Sequence, residues 1–194
     1  MIGRVRASQT DIYEAVLALA RHIAGRNDLE SLLAGVAMAL KRVVDFEYLG
    51  MMLHEPESNF MRLFGLSSSG PLGFCEDRVI ALQKDPGGWV WNNQVPLVIS
   101  SIQHETRWPE FMQFAREGGI QAMIMVPLTA GENRLGAFGF GCLEPYSPSP
   151  PELAFLEQVA SEFAVAVDAH LAKQKLVHER DRVRALFDIT NALV

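Results

Sequence analysis

The segment that most constrains the fold is residues 119–169, which reads as strand, tight turn, strand and long helix. Residues 120–128 are almost entirely apolar, and residues 135–142 place glycines between larger apolar side chains. The connection contains Gly131 and Asn133, residue types that tolerate turn dihedrals. Ser149 precedes Pro150 and lies three residues before Glu152, which is the pattern of a capping box. The block therefore predicts a β-hairpin followed by a helix that starts at Pro150.

The helix after Pro150 is predicted to be much longer than the domain that it leaves. Residues 152–192 contain neither proline nor glycine, and a helix of that length spans roughly 60 Å. Its distal part, residues 173–184, is highly charged, and Leu176, Val183, Leu186 and Leu193 recur at partial heptad spacing. Two interpretations remain, a short coiled coil between two chains or a solvated linker helix. We favour the coiled coil because an isolated helix is only marginally stable.

The rest of the chain predicts further helices and antiparallel strands. Asp28 is a candidate N-cap for a helix that ends near Val43, and Asp85 is a candidate N-cap for a short helix that begins at Pro86. Because hairpins and flanking helices occur without regular βαβ alternation, the fold class is α+β with a central antiparallel sheet. The remaining predicted elements are a helix over 11–24, strands over 46–54, 60–66 and 97–99, a loop over 67–74, and a helix over 108–117.

Composition and motif content exclude several functions for this segment. The chain has 194 residues, a net charge of −6 and a pI near 5.4, so we expect no direct contact with nucleic acid. Two distant cysteines, Cys75 and Cys142, indicate a reducing cytoplasm rather than a disulfide framework. No apolar run is long enough for a membrane span. The five histidines have no metal-ligand spacing and no catalytic motif is visible, so we expect neither a metal site nor an enzyme.

Four segments together resemble the GAF domain family, small-molecule-binding sensory modules related in shape to PAS domains. They are Asp-Pro-Gly-Gly-Trp-Val-Trp at 85–91 with Val-Pro-Leu-Val-Ile at 95–99, the strand at 119–128, the glycine-rich strand at 134–141, and the helix at 152–169. The resemblance covers roughly residues 29–171 and rests on the order and spacing of these segments. It implies a PAS-like GAF fold, with the long C-terminal helix projecting from it.

A narrower resemblance lies at the end of the chain. Residues 179–194 are similar to the linker between GAF modules in activators of the formate-hydrogenlyase type. That likeness implies a sigma-54-dependent transcriptional regulator whose ATPase and helix-turn-helix domains lie beyond this chain. We therefore divide the chain into an N-terminal helix (1–28), a GAF sensory domain (29–171) and a linker helix (172–194).

The family resemblance also implies a ligand pocket, and we assign eight residues to it. Trp89 is equally well explained as a pocket wall or as a core aromatic residue, and a solvated loop charge is the simpler interpretation of Arg107. Cys75 lacks the neighbouring histidine of bilin-binding members, and an ordinary thiol is the simpler interpretation. The Asn-Lys-Phe-Asp-Glu set of cyclic-nucleotide-binding members is absent, so no cofactor is identified. The predicted pocket comprises Cys75, Trp89, His104, Arg107, Trp108, Ala122, Ile124 and Val126.

Two functions follow from these observations. The first is a sensor module that binds a small organic ligand and transmits its state through the C-terminal helix. The alternative is a dimerisation and protein-interaction module without a ligand, in which that helix forms a homodimer. A third interpretation, a free methionine sulfoxide reductase, needs several cysteines around the pocket, and only Cys75 is expected near it.

Overall fold

A six-stranded antiparallel sheet is the middle layer of the computed structural model, which describes residues 28–41, 44, 46–67 and 75–192. The strand order across the sheet is β3-β2-β1-β6-β5-β4. Helices cover both faces, which confirms the predicted α+β class and PAS-like arrangement. In chain order the elements are α1 (Leu29–Leu40), β1 (Tyr48–Glu55), β2 (Phe60–Ser67), β3 (Cys75–Ala81), α2 (Pro86–Asn93), β4 (Leu97–Ile99), α3 (Pro109–Glu117), β5 (Ala122–Ala130), β6 (Asn133–Cys142) and α4 (Pro150–Ala192).

The two faces of the sheet bury separate apolar clusters. The larger one packs α1 and the first part of α4 against the sheet, with Leu33, Phe138 and Phe163 fully buried. Phe138 and Phe163 approach with ring centroids 5.1 Å apart, which joins β6 to α4. The second cluster lies beneath α2 and α3. Because side chains alternate along a strand, β5 and β6 contribute to both clusters.

Three of the predicted helix starts are confirmed by their capping hydrogen bonds. Asp28 Oδ1 accepts from the amide of Ser31 at 2.7 Å and begins α1. Asp85 caps α2, where Pro86 occupies the first helical position. Glu152 Oε2 accepts from the amide of Ser149 at 2.6 Å at the start of α4. These caps satisfy amides that have no partner inside a helix, so they fix where each helix begins.

Helix α4 has 43 residues and leaves the sheet as predicted. Its inward side chains are buried as far as Val167 and His170, whereas residues 172–186 are exposed. Helix α1 ends at Leu40, before the predicted end at Val43. The predicted N-terminal helix (11–24) and nearly all of the predicted loop (67–74) lie outside the described residues. The division of the chain at residues 28 and 171 stays a prediction.

One strand was not predicted at all. β3 forms an edge of the sheet and pairs antiparallel with β2, with a register shift between Leu63 and Gly65. In its sequence, Cys-Glu-Asp-Arg-Val-Ile-Ala, three consecutive charged residues follow the cysteine and obscure any alternation. An edge strand carries such residues because charge on an exposed edge opposes pairing with other chains.

Candidate functional site

The cluster beneath α2 and α3 is the candidate site, and we call it the methionine cluster. It contains five buried methionines: Met52, Met61, Met112, Met123 and Met125. Aliphatic and aromatic side chains from α2, α3 and the turn at Ile102–His104 complete it. Methionine is unbranched and flexible, so a cluster of this composition can repack around different shapes. The opposite cluster is built on phenylalanine, leucine and valine and has no buried methionine except Met51.

Helix α2 is held close to the sheet at both of its ends. At the N-terminus a Cβ on Gly87 would collide with Met52 Sδ of β1, so glycine allows this approach to the sheet. A Cβ on Gly88 would collide with the carbonyl oxygen of Leu82, in the 3-10 turn that precedes α2. At the C-terminus Gln94 adopts a left-handed conformation with φ 56°. Its side-chain oxygen accepts from Thr129 Oγ1 at 2.8 Å, and its amide nitrogen donates to the carbonyl of Trp91 at 2.6 Å. Gln94 thereby ties α2 to β5.

Asp85 places a carboxylate inside this otherwise apolar region. The residue is fully buried, and Oδ1 accepts from the amides of Gly87 at 2.5 Å and Gly88 at 3.2 Å. Burial raises the pKa of Asp85 from 3.8 to about 7, because water no longer stabilises the charged form. The two amide hydrogen bonds, and the positive charge of Arg78, oppose that rise but do not cancel it. Asp85 therefore titrates near neutral pH.

Trp108 and Arg107 form the start of α3. Trp108 is buried within the methionine cluster, and the guanidinium of Arg107 lies over its ring at 4.5 Å from the centroid. Arg107 Nη2 donates to Glu105 Oε2 at 2.6 Å, and Nε donates to Glu105 Oε1 at 3.0 Å. The same hydrogen bonds lower the pKa of Glu105 to about 2. Arg107 thus binds a carboxylate of its own chain.

The predicted pocket residues fall on two different faces of the sheet. Trp89 is half-buried against the methionine cluster, on the same face as buried Trp108. Ile124 and Val126 instead lie in the cluster packed against α4, and buried Ala122 shares their strand face by alternation. The prediction that these three side chains line the same pocket as the tryptophans is therefore corrected. The side chains of β5 that face the tryptophans are Met123 and Met125.

Cys75 and His104 lie at the periphery of the described structure. The backbone of Cys75 begins β3 and pairs with Gly65 of β2. His104 is exposed at the end of the turn at Ile102–His104, before α3. The predicted pocket roles of Cys75 and His104 stay predictions.

Sequence reasoning missed the polar and flexible members of this site. Asp85 was interpreted only as a helix cap, and its burial was not anticipated. The signal was present in Gly87 and Gly88, because two glycines after a capped proline allow the start of a helix to pack closely against its neighbours. Met52 and Met125 were hidden inside continuous apolar runs, where the side facing each cluster cannot be read from hydropathy alone.

The chain belongs to the GAF domain family. The family model described as "GAF domain" matches residues 26–168, which is most of the chain. GAF domains are sensory and regulatory modules of signalling proteins, and this chain carries one. No sequence among the curated proteins matches it.

Solved structures support the same fold at low sequence identity. The GAF domain of a phosphoenolpyruvate-protein phosphotransferase from Coxiella burnetii superimposes with a TM-score of 0.72 at 14% identity, over 87% of this chain and 99% of that one. Free methionine-R-sulfoxide reductase from Neisseria meningitidis, solved with its substrate, gives 0.66 at 18% identity over 88% and 97%. The GAF domain of a two-component sensor histidine kinase from Bacillus halodurans gives 0.65 at 18% identity over 77% and 99%. At these identities the likeness establishes the fold alone.

None of the described helices is long and apolar enough to cross a membrane. Over the same part of the chain, no three His, Cys, Asp or Glu side chains are grouped so that they could hold a metal ion.

Proposed function

We propose that this chain is a sensor module that binds a small organic ligand in the methionine cluster and transmits the bound state through α4. The observation that carries the proposal is that β5 lies between the methionine cluster and α4. Met123 and Met125 face the methionine cluster, whereas Ile124 and Val126 pack in the cluster that contains α4. A displacement of β5 by a ligand would therefore reach the long helix directly.

Ligand binding can shift α4 only if the ligand binds two arrangements of the domain with different affinities. The methionine cluster suits that requirement because its side chains are flexible, while α2 is held at its ends by Asp85 and Gln94. A ligand that enters the cluster must displace side chains, and close-packed interiors transmit such changes of volume to their neighbours. The likeness to the Neisseria structure supports small-molecule binding on this fold, since that protein was solved with its substrate.

We further propose that the module binds its ligand without transforming it. The chain has only two cysteines, and Cys142 ends β6 at a half-buried position. Sulfoxide reductase chemistry of the kind named for the Neisseria relative would require several cysteines around one pocket. Arg107 is engaged with Glu105 and does not supply a free cation for transition-state stabilisation.

A thermal-shift screen with a metabolite library tests the ligand proposal. Compounds that bind in the methionine cluster should raise the melting temperature of the wild type and not that of Trp89→Ala. Circular dichroism of the variant serves as the control that it remains folded. If hits stabilise both proteins equally, the site does not lie beneath α2.

A second function, homodimerisation, is favoured by an exposed apolar seam on α4. Val165, Leu176, Val183 and Leu186 are 59%, 72%, 60% and 58% exposed, and their spacing continues a heptad pattern along one side of the helix. We define the seam as these four residues. Exposed apolar residues at such spacing are typical of a helix that pairs with a second copy. Dimerisation would place the two linker helices side by side, so that both could act on the same output domains.

Sedimentation of two matched variants tests the dimer. Leu176→Lys places a charge on the seam and should convert the dimer to monomer. Val177→Lys adds the same charge at the neighbouring exposed residue, outside the seam, and should leave the dimer intact. Equal sedimentation of both variants and the wild type would exclude the seam as the interface.

We infer from the likeness of residues 179–194 that the module belongs to a cytoplasmic sigma-54-dependent transcriptional regulator. In that arrangement α4 connects the GAF domain to an ATPase domain, and DNA is contacted elsewhere in the protein. The coding sequence beyond Val194 tests this directly, because such an ATPase requires a G-x-x-x-x-G-K-[ST] phosphate-binding loop. A histidine kinase domain in its place would contradict the inference.

A further inference from the structure

Asp85 carries a buried oxygen without a partner among the described residues. Oδ1 accepts both available amides at the start of α2, whereas Oδ2 is buried and makes no hydrogen bond with the described part of the chain. Buried polar atoms in native proteins nearly always have a partner, and an unsatisfied one calls for an explanation. Capping does not require this second oxygen, since a serine or threonine hydroxyl caps a helix as well.

The carboxylate lies at the inner boundary of the methionine cluster. A Cβ built on Gly87 would meet both Met52 Sδ and Asp85 Oδ1, so the methionine and the carboxylate are close neighbours. Met52 belongs to the methionine cluster and is 4% exposed. The guanidinium of Arg78 lies 4.1 Å from the ring centroid of Phe114, a residue packed against the same cluster. The Arg78 charge acts on Asp85 without a direct hydrogen bond to it among those described.

We infer that Asp85 Oδ2 is the polar anchor of the ligand site, and that the ligand is a small molecule with an apolar body and one N–H or O–H donor. The inference rests on the proposed function, because it names the chemistry of a ligand in that same cluster. Apolar sites for small molecules commonly use a few fixed polar groups to set orientation. A donor from the ligand would satisfy Oδ2, while the flexible side chains of Met52 and its neighbours would enclose the apolar body.

Two pairs of probe compounds separate the donor from the apolar body. Indole and 1-methylindole share an aromatic body, but only indole has an N–H, and phenol and anisole differ likewise in an O–H. Methyl NMR of the full chain with labelled methionines reports binding through Met52 and Met125. At about pH 8.5 the carboxyl of Asp85 is ionised, because this pH lies above its pKa of about 7. There the donor compounds should bind about tenfold more tightly than their methylated partners, the expected effect of one hydrogen bond to a charged acceptor.

Variants of Asp85 test whether the preference comes from Oδ2. Asp85→Asn keeps an oxygen to cap α2 and replaces the second oxygen with a donor, so the preference for indole over 1-methylindole should disappear. Asp85→Ser keeps the cap with a single hydroxyl and should have the same effect if the asparagine variant fails to fold. Asp28→Asn makes the same change at the N-cap of α1, on the other face of the sheet, and should retain the preference.

The possible failures are distinguishable. If both members of each pair shift the Met52 methyl with equal affinity, the site exists but Asp85 does not anchor the ligand, and this inference is wrong while the proposed function stands. If none of the four compounds shifts any methionine of the cluster at millimolar concentration, both the inference and the ligand site are contradicted.

Discussion

At the scale of single residues, Asp85 makes the stability of the fold depend on pH. Its pKa is raised to about 7 by burial, so the folded state holds a proton that the unfolded chain releases above 3.8. Between those values the folded state binds more protons than the unfolded state, and the free energy of unfolding falls as pH rises. Glu105 has the opposite effect, because its pKa is lowered from 4.5 to about 2. Between those two values the free energy of unfolding rises with pH.

Between pH 5.5 and pH 8 the wild type should lose stability because Asp85 gives up its proton in the folded state. We therefore predict that Asp85→Asn, which has no proton to lose there, avoids this loss. The difference in unfolding free energy between variant and wild type should move in favour of the variant by roughly 2 kcal/mol over that interval. Urea denaturation at the two pH values measures it, and taking the difference cancels the histidines common to both proteins. A difference that does not change with pH would mean that Asp85 is ionised throughout.

Gly88 offers a prediction that opposes helix propensity. Replacing glycine by alanine inside a helix normally stabilises it by about 1 kcal/mol. Here the new Cβ would collide with the backbone carbonyl of Leu82, which cannot rotate away. Gly88→Ala should instead destabilise the domain by about 2 kcal/mol or more, measured by thermal denaturation. Asn92→Ala, at an exposed position of the same helix, is the control and should be neutral or slightly stabilising.

At the scale of elements, the seam on α4 has an electrostatic consequence. Continued at heptad spacing, the seam passes through positions 172, 176, 179, 183 and 186 of α4. The exposed basic residues next to these positions are Lys173, Lys175, Arg180 and Arg182. Two parallel copies would bring these basic flanks together, and the ion pair of Arg180 with Asp181 at 2.9 Å offsets some of that charge. Like charges at such positions weaken self-association, and salt screens them.

The association constant of the proposed homodimer should accordingly increase as the salt concentration rises. Sedimentation equilibrium in NaCl from about 0.05 M to 0.5 M should show several-fold stronger association, since the Debye length falls from over 10 Å to about 4 Å. Lys175→Glu introduces attraction across the interface and should strengthen the dimer at low salt while reducing its salt dependence. Dissociation at high salt would instead indicate an interface held by opposite charges.

The elements themselves were largely predictable, because local chemistry sets their ends. Asp28, Asp85 and Ser149 each mark a helix start that the structure confirms. The edge strand β3 was missed because its charged residues reflect its place in the sheet rather than a strand pattern. The site was predicted less well, because which face of β5 meets which helices depends on packing between distant segments. Ile124 and Val126 were therefore assigned to the wrong side.

At the scale of the whole molecule, one strand lies between a repackable cluster and a projecting helix. β5 is paired with β4 and β6, and its two faces contact the methionine cluster and the cluster around α4. Asn133, beside the turn after β5, also donates to Asp168 of α4 at 3.3 Å. This arrangement gives the proposed ligand site a short physical connection to α4.

The most direct test of this account is a native mass spectrum of the freshly purified chain, recorded for the wild type and for Trp89→Ala. A ligand site beneath α2, together with the seam on α4, predicts a wild-type dimer that carries the additional non-covalent mass of a small organic molecule, and a variant dimer that lacks it. Wild type and variant spectra that both show only the mass of the polypeptide, or that both retain the same additional mass, would contradict a ligand site beneath α2.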